Sequence, residues 1–223
     1  MPEANIPSAP RPRIEGLSDI VFGLAISIGA IQLVASPPQT QMQVVAAIAA
    51  FAFSFLIIIN FWNQYTTIVS AVPIETSLTF RLNMLLLFLI AVEPYLFNVL
   101  IIQGTAYSTL GESVSAYFSL DIGGINFVLA YLANNLTTEE KNLIPHDMIP
   151  VFRVSRNIML AIGIAFFVSA IPSFWFAQIL AVPLRIWLWV FTIPFSWATQ
   201  LFIWPWRKGK LNHRQSLESP PIA

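Results

Sequence analysis

Apolar residues run along this chain in six long blocks, separated by short polar stretches that carry proline and glycine. The blocks cover about residues 17–35, 44–68, 82–102, 114–134, 158–180 and 184–204. A helix crosses the roughly 30 Å hydrocarbon core of a bilayer with about 20 apolar residues, and each block comes close to that length. Between them lie turn-forming stretches such as SPPQTQ, IQGTAYSTLG and NLTTEEKNLIPHDMIP, and the last two blocks meet at a turn near Pro183. The pattern predicts an all-α, polytopic membrane protein with six transmembrane helices. Pro94, Pro172 and Pro194 fall inside the blocks, where a proline kinks a helix and frees carbonyls for other partners.

The basic residues orient this arrangement. With an even number of spans and a cytoplasmic N-terminus, the inner segments hold Arg11, Arg13, Arg81, Lys141, Arg153, Arg156, Arg207, Lys208, Lys210 and Arg214. That is ten of the eleven Lys and Arg residues, with only Arg185 at or beyond the outer boundary. Such a bias is the positive-inside rule, and a count shifted by one span destroys it. Both termini are therefore expected in the cytoplasm. Arg81, Arg153 and Arg156 are expected to snorkel to headgroups. Trp175, Trp187, Trp204 and Trp206 lie near expected span ends, where amphipathic rings prefer the interface; Trp189 and Trp197 are placed between helices. The expected organisation is a cytoplasmic segment at 1–12, a transmembrane unit at 13–206 and a disordered cytoplasmic tail at 207–223.

Composition agrees and narrows the chemistry. Hydrophobic residues make up 57% and charged residues 10%, with a mean hydropathy of +0.71, against about 25% charged in soluble domains. The formal net charge is zero, so no global basic field exists to attract nucleic acid. The absence of cysteine removes disulfides, Cys-type zinc sites and thiol catalysis together. The opening MPEANIPSAP is polar and Pro-rich, and no signal peptide is expected. His146 falls in a cytoplasmic loop and His213 in the tail, so neither is a candidate metal ligand. Without HExxH or GxSxG, the chain is not expected to be an enzyme, and no cofactor is expected.

Chemistry concentrates in the first block, RIEGLSDIVFGLAISIGAIQL, from Arg13 to Leu33. Leu24, Ser27, Ile28 and Ile31 recur at i, i+3, i+4 and i+7 and form one stripe. Gly16, Gly23 and Ala30 repeat every seven residues, a small-residue line along which a neighbouring helix can approach. The same pattern also suits ordinary membrane-helix packing. Arg13 and Asp19 lie about 600° apart around a helix and do not face each other, so their partners are sought at Trp62, Asn63 and Asn83. Ser18 and Asp19 also suit a helix cap.

The run Arg13-Ile-Glu-Gly-Leu17-Ser18-Asp19 resembles the Arg-x-x-x-Phe-Ser-Asp motif of the transmembrane protein 175 family of potassium channels, with Leu17 for the usual Phe. Phe61-Trp62-Asn63, then Asn83 and Pro94-Tyr95, resemble later positions of that family. Gln64-Tyr65 stand where it usually has His, and Glu93 where it has an apolar residue. The resemblance implies a potassium-selective cation channel whose first helix lines the pore of a homotetramer in a prokaryotic plasma membrane. Leu24, Ile28 and Ile31 then correspond to the apolar constrictions, and Ser27 to a hydroxyl layer that K+ meets transiently. Arg13, Leu17, Ser18, Asp19, Trp62, Asn63 and Asn83 form the bracing network. The implied partners are the bilayer, monovalent cations and three further copies of the chain. No TVGYG-like filter occurs, and no helix carries Arg at every third position, so a carbonyl filter and a voltage sensor are not expected. Glu93 and Asp121, both inside apolar blocks, support an alternative: a secondary transporter with a midplane site.

Overall fold

A computed structural model of the chain describes residues 13–35, 38–69, 77–103, 109–137, 148–180 and 182–192, with the backbone alone at 13–15, 32–35 and 102–103. Five long helices follow one another: α1 (Arg13–Ala35), α2 (Gln41–Val69), α3 (Ser77–Gln103), α4 (Thr109–Thr137) and α5 (Ile149–Ser169). A short turn of helix, α6 (Ser173–Phe176), leads into a two-stranded hairpin, β1 (Gln178–Ile179) with β2 (Val182–Pro183). A further helix occupies 184–192. Among the described residues, α2 to α5 are long and apolar enough to cross a membrane. In α1 the residues described with their side chains, Gly16–Ile31, form an apolar stretch, and the sixth expected block is described only as far as 192. The N-terminal segment, the tail, Pro194, Trp197, Trp204 and Trp206 lie outside the described residues.

Helix α4 is the centre of the bundle. Two-thirds of its apolar stretch (67%) is buried, against 17% for α2, and it packs on both α3 and α5. Glycines bring α4 and α5 together. A Cβ on Gly123 would stand 2.5 Å from the Phe167 ring, and one on Gly163 would stand 3.1 Å from the Phe127 ring. Those two rings meet edge to face at 5.2 Å. In lipid, where burial of apolar surface drives little association, such close approach supplies the packing energy.

Two arginines show that α4 and α5 run antiparallel. At one end, Arg156 Nη1 donates to Asn134 Oδ1 at 2.7 Å. At the other, Arg185 joins the start of α4 to the end of α5. Its guanidinium donates to the carbonyls of Ser169, Ala170, Ile171 and Glu112, to Ser115 Oγ and to the Glu112 carboxylate, and it stands over the Trp175 ring. Arg185 is fully buried. The one basic residue that the charge count leaves at the outer boundary is therefore a structural clasp, at the end of the bundle opposite Arg156.

The chain departs from the hydropathy reading after α5. Hydropathy predicts a fifth span at about 158–180, but the helix starts earlier and stops at Ser169. Pro172 lies beyond α5, at the N-cap of α6, so it separates two elements rather than kinking a span. A proline has no N–H for the helical ladder. Arg185 takes up the carbonyls of Ser169 and Ala170 beyond the end of the ladder and shares that of Ile171 with the Phe174 N–H. Trp175 is fully buried beneath Arg185 rather than placed in an interfacial belt. The small hairpin qualifies the all-α expectation: Leu180 takes φ 53° at its tip, as tight two-residue turns require, and Leu184 N closes it onto Ala177 O. Pro94 does lie within α3, as expected. Trp189 packs between helices, stacked on Phe166 at 6.1 Å.

Candidate pore helix and its anchoring network

Helix α1 has two distinct faces. Ser18, Phe22 and Ala25 are buried, at the i, i+4, i+7 spacing of one side of a helix, and α1 lies against α2 and α3. The other side is open. Leu17, Ile20, Leu24 and Ile31 are 44%, 68%, 56% and 64% exposed, Ser27 is exposed with them, and Ile28 lies at the margin, half-buried. A Cβ placed on Gly16 or Gly23 would meet nothing within 4 Å, so no described helix of the same protomer uses the small-residue line there.

The buried face is pinned by two aromatic residues of α2. Ser18 Oγ and Tyr65 OH lie 2.6 Å apart, and the Phe22 ring packs on Tyr65 at 5.5 Å. One turn earlier on α2, Trp62 Nε1 donates to Asp19 Oδ1 at 3.3 Å. Trp62 and Tyr65 are three apart and so share a face of α2, as consecutive Ser18 and Asp19 straddle its contact line on α1. Helix α1 begins at Arg13, which sets Ser18 and Asp19 inside the helix. They bridge helices and do not cap one. Removing either hydroxyl of the Ser18–Tyr65 pair (Ser18→Ala or Tyr65→Phe) is expected to lower stability by about 1 kcal/mol. The double variant should lose less than the two single losses added together, as read by thermal unfolding of the purified protein.

The remaining motif residues are not all drawn into this bracket. Asn63 is exposed, and its carbonyl accepts the hydroxyls of Thr66 and Thr67. Asn83 is buried, and neither atom of its carboxamide is hydrogen-bonded among the described residues. The Arg13 side chain lies outside the described residues. Tyr65, absent from the sequence-based network, is a hydrogen-bond partner of Ser18. Ile20, also not singled out from sequence, shares the exposed seam because it is four residues before Leu24.

Ser27 makes a local bond within α1. Its Oγ donates to Gly23 O at 2.8 Å, a back-bond that occupies the hydroxyl hydrogen. The oxygen lone pairs stay available on the open face. Deeper in the bundle, Glu93 of α3 is fully buried and accepts from Ser54 Oγ of α2 at 3.1 and 3.3 Å. Asp121 of α4 is also buried, with neither oxygen hydrogen-bonded among the described residues. Neither carboxyl group lies on α1. No group of three or more His, Cys, Asp or Glu able to hold a metal occurs among the described residues.

Residues 13–94, from the start of α1 to the proline within α3, match the family described as endosomal/lysosomal potassium channel TMEM175. This region is similar to the TMEM175 family. The matched region contains the whole exposed seam and every residue of the Ser18–Tyr65 and Asp19–Trp62 contacts. The fold is shared with a solved crystal structure, that of a single-residue variant of the potassium channel MtTMEM175 in complex with a nanobody–MBP fusion protein. Identity is 19% over 91% of this chain and 97% of that chain, with a TM-score of 0.60. The likeness of fold thus extends past residue 94 into the helices that the family match does not reach. No curated protein matches the chain. The family match and the four membrane-capable helices among the described residues support a multi-pass membrane protein similar to a family of ion channels.

Proposed function

We propose that this chain is one subunit of a potassium channel, and that α1 lines the pore in a homotetramer. The observation that carries this reading is the open face of α1 within the TMEM175 region: Leu24, Ser27 and Ile31 point away from the protomer while the opposite side is clamped to α2. Four copies related by an axis bring those faces together. The exposed glycines let neighbouring backbones approach.

Rings of Leu24 and Ile31, with Ile28 at their margin, make an apolar constriction that blocks flow by dewetting until it widens. An ion that squeezes past these side chains sheds water and gains no ligand in return. Potassium holds its hydration shell less tightly than sodium, so its penalty is smaller. Ser27 oxygens then return part of the lost coordination. The Tyr65 and Trp62 contacts keep α1 in register on α2 and do not touch the ion. The setting proposed is a prokaryotic plasma membrane with cytoplasmic termini. Purified protein in liposomes is expected to pass K+ down its gradient faster than Na+, with no saturable coupling to a second solute. Vesicles no leakier to K+ than protein-free ones would refute this reading.

A further inference from the structure

The cavity between α2, α4, α5 and the 184–192 helix lies across α2 from the contacts with α1 and plays no part in the pore described above. Its volume is about 80 Å³, and its lining includes Phe61 and Gln64 of α2, Phe118 and Asn126 of α4, Phe166 of α5 and Trp189. The walls are largely aromatic: Trp189 stacks on Phe166 at 6.1 Å and meets Phe118 at 5.0 Å. The polar groups in this wall differ in how far they are satisfied. Trp189 Nε1 donates to Ser169 Oγ, and Thr192 Oγ1 to Trp189 O. Asn126 gives Nδ2 to Ile122 O. Its Oδ1 and the whole Gln64 carboxamide make no hydrogen bond among the described residues.

We propose that this cavity is a binding site for a slender, neutral, membrane-soluble amphiphile, an alkyl chain carrying a hydroxyl group. Three physical arguments select that class. A hydroxyl is both donor and acceptor: its hydrogen suits Asn126 Oδ1 and its oxygen suits the Gln64 amide, and in hydrocarbon both groups otherwise go unpaired at a cost. A volume of about 80 Å³ is near half the roughly 150 Å³ that encloses a benzene-sized guest. A chain end therefore fits where a ring does not. Among the described residues no ionisable side chain lines the cavity, so a charged headgroup would enter without a counter-charge from them.

The site is tested on the full chain in nanodiscs, with a diazirine-bearing octanol as photoprobe and mass spectrometry to locate the adducts. Adducts are expected on the cavity-lining residues of α2, α4 and α5, and octanol should displace them better than octane does. Gln64→Leu should weaken octanol displacement about fivefold, the effect of one hydrogen bond. Ile57→Trp, which fills the cavity from its α2 wall, should abolish cavity adducts and leave those on lipid-facing surfaces. The proposal is overturned if adducts spread over the lipid-facing helices without displacement. Equal displacement by octanol and octane would also overturn it, as would unchanged octanol displacement in Gln64→Leu. These readouts do not depend on whether the chain conducts ions.

Discussion

Replacing Arg185 with methionine is expected to destabilise the folded protein by about 3–5 kcal/mol, the range for removing one partner of a buried ion pair. The guanidinium is fully buried and donates to four backbone carbonyls, one hydroxyl and one carboxylate. Methionine keeps much of the volume and supplies no donor, so carbonyls at the end of α5 and the start of α4 each lose a donor inside the bundle. Arg185→Lys should recover only part of the loss, because an ammonium cannot span acceptors that a planar fork reaches together. Arg156→Met is the control. Its partners Asn134 and Asn157 lie at the surface, and exposed charged contacts contribute about 1 kcal/mol or less. Thermal unfolding of the three variants in one detergent reads the order directly. An Arg185→Met protein as stable as Arg156→Met would remove the clasp from this description.

The second large effect concerns flux. Leu24→Ala and Leu24→Asn are expected to raise K+ flux in liposomes about tenfold or more, which corresponds to about 1.4 kcal/mol or more off the barrier. Alanine widens the ring and asparagine wets it, so both relieve the same dewetting barrier. The K+ preference over Na+ should fall in both, since a wider or wetter ring asks less dehydration of either ion. Phe22→Ala, on the buried face two residues away, tests specificity: it should cost stability without raising the flux of protein that remains folded. Unchanged flux and selectivity at Leu24 would move the constriction elsewhere.

The legible parts of this molecule are those with strong local signals. Helices α2, α3 and α4 coincide with apolar blocks that run unbroken, and Pro94 in α3 and the Gly123-Gly124 pair in α4 are accommodated inside them. The Leu17-Ser18-Asp19 run marks α1 as the informative helix, and Trp62 is among the partners that the sequence offers Asp19. The region after α5 is not legible in the same way. Apolar content measures affinity for lipid, not helicity, and it continues unbroken through Pro172, where the helical ladder has already ended. Arg185 misleads for a related reason. A charge count assigns every basic residue to a side of the membrane, but a guanidinium with enough carbonyls around it can sit inside the bundle. Its only sequence signal is isolation, as the sole basic residue between Asn157 and Trp206. In the sequence Tyr65 reads as a departure from a family histidine, whereas its hydroxyl is the group that reaches Ser18.

The central claim is that the open face of α1 lines the ion path, and the chain's lack of cysteine makes it directly testable. Single cysteines are placed at Leu24, Ser27 and Ile31, and at Ala25 on the buried face. K+ flux from liposomes is then followed before and after a charged, membrane-impermeant thiol reagent is applied from both sides. Flux through the first three variants is expected to be blocked or strongly altered, while Ala25→Cys is indifferent. Flux unaffected at Leu24, Ser27 and Ile31 alike, in protein that conducts, would contradict the claim.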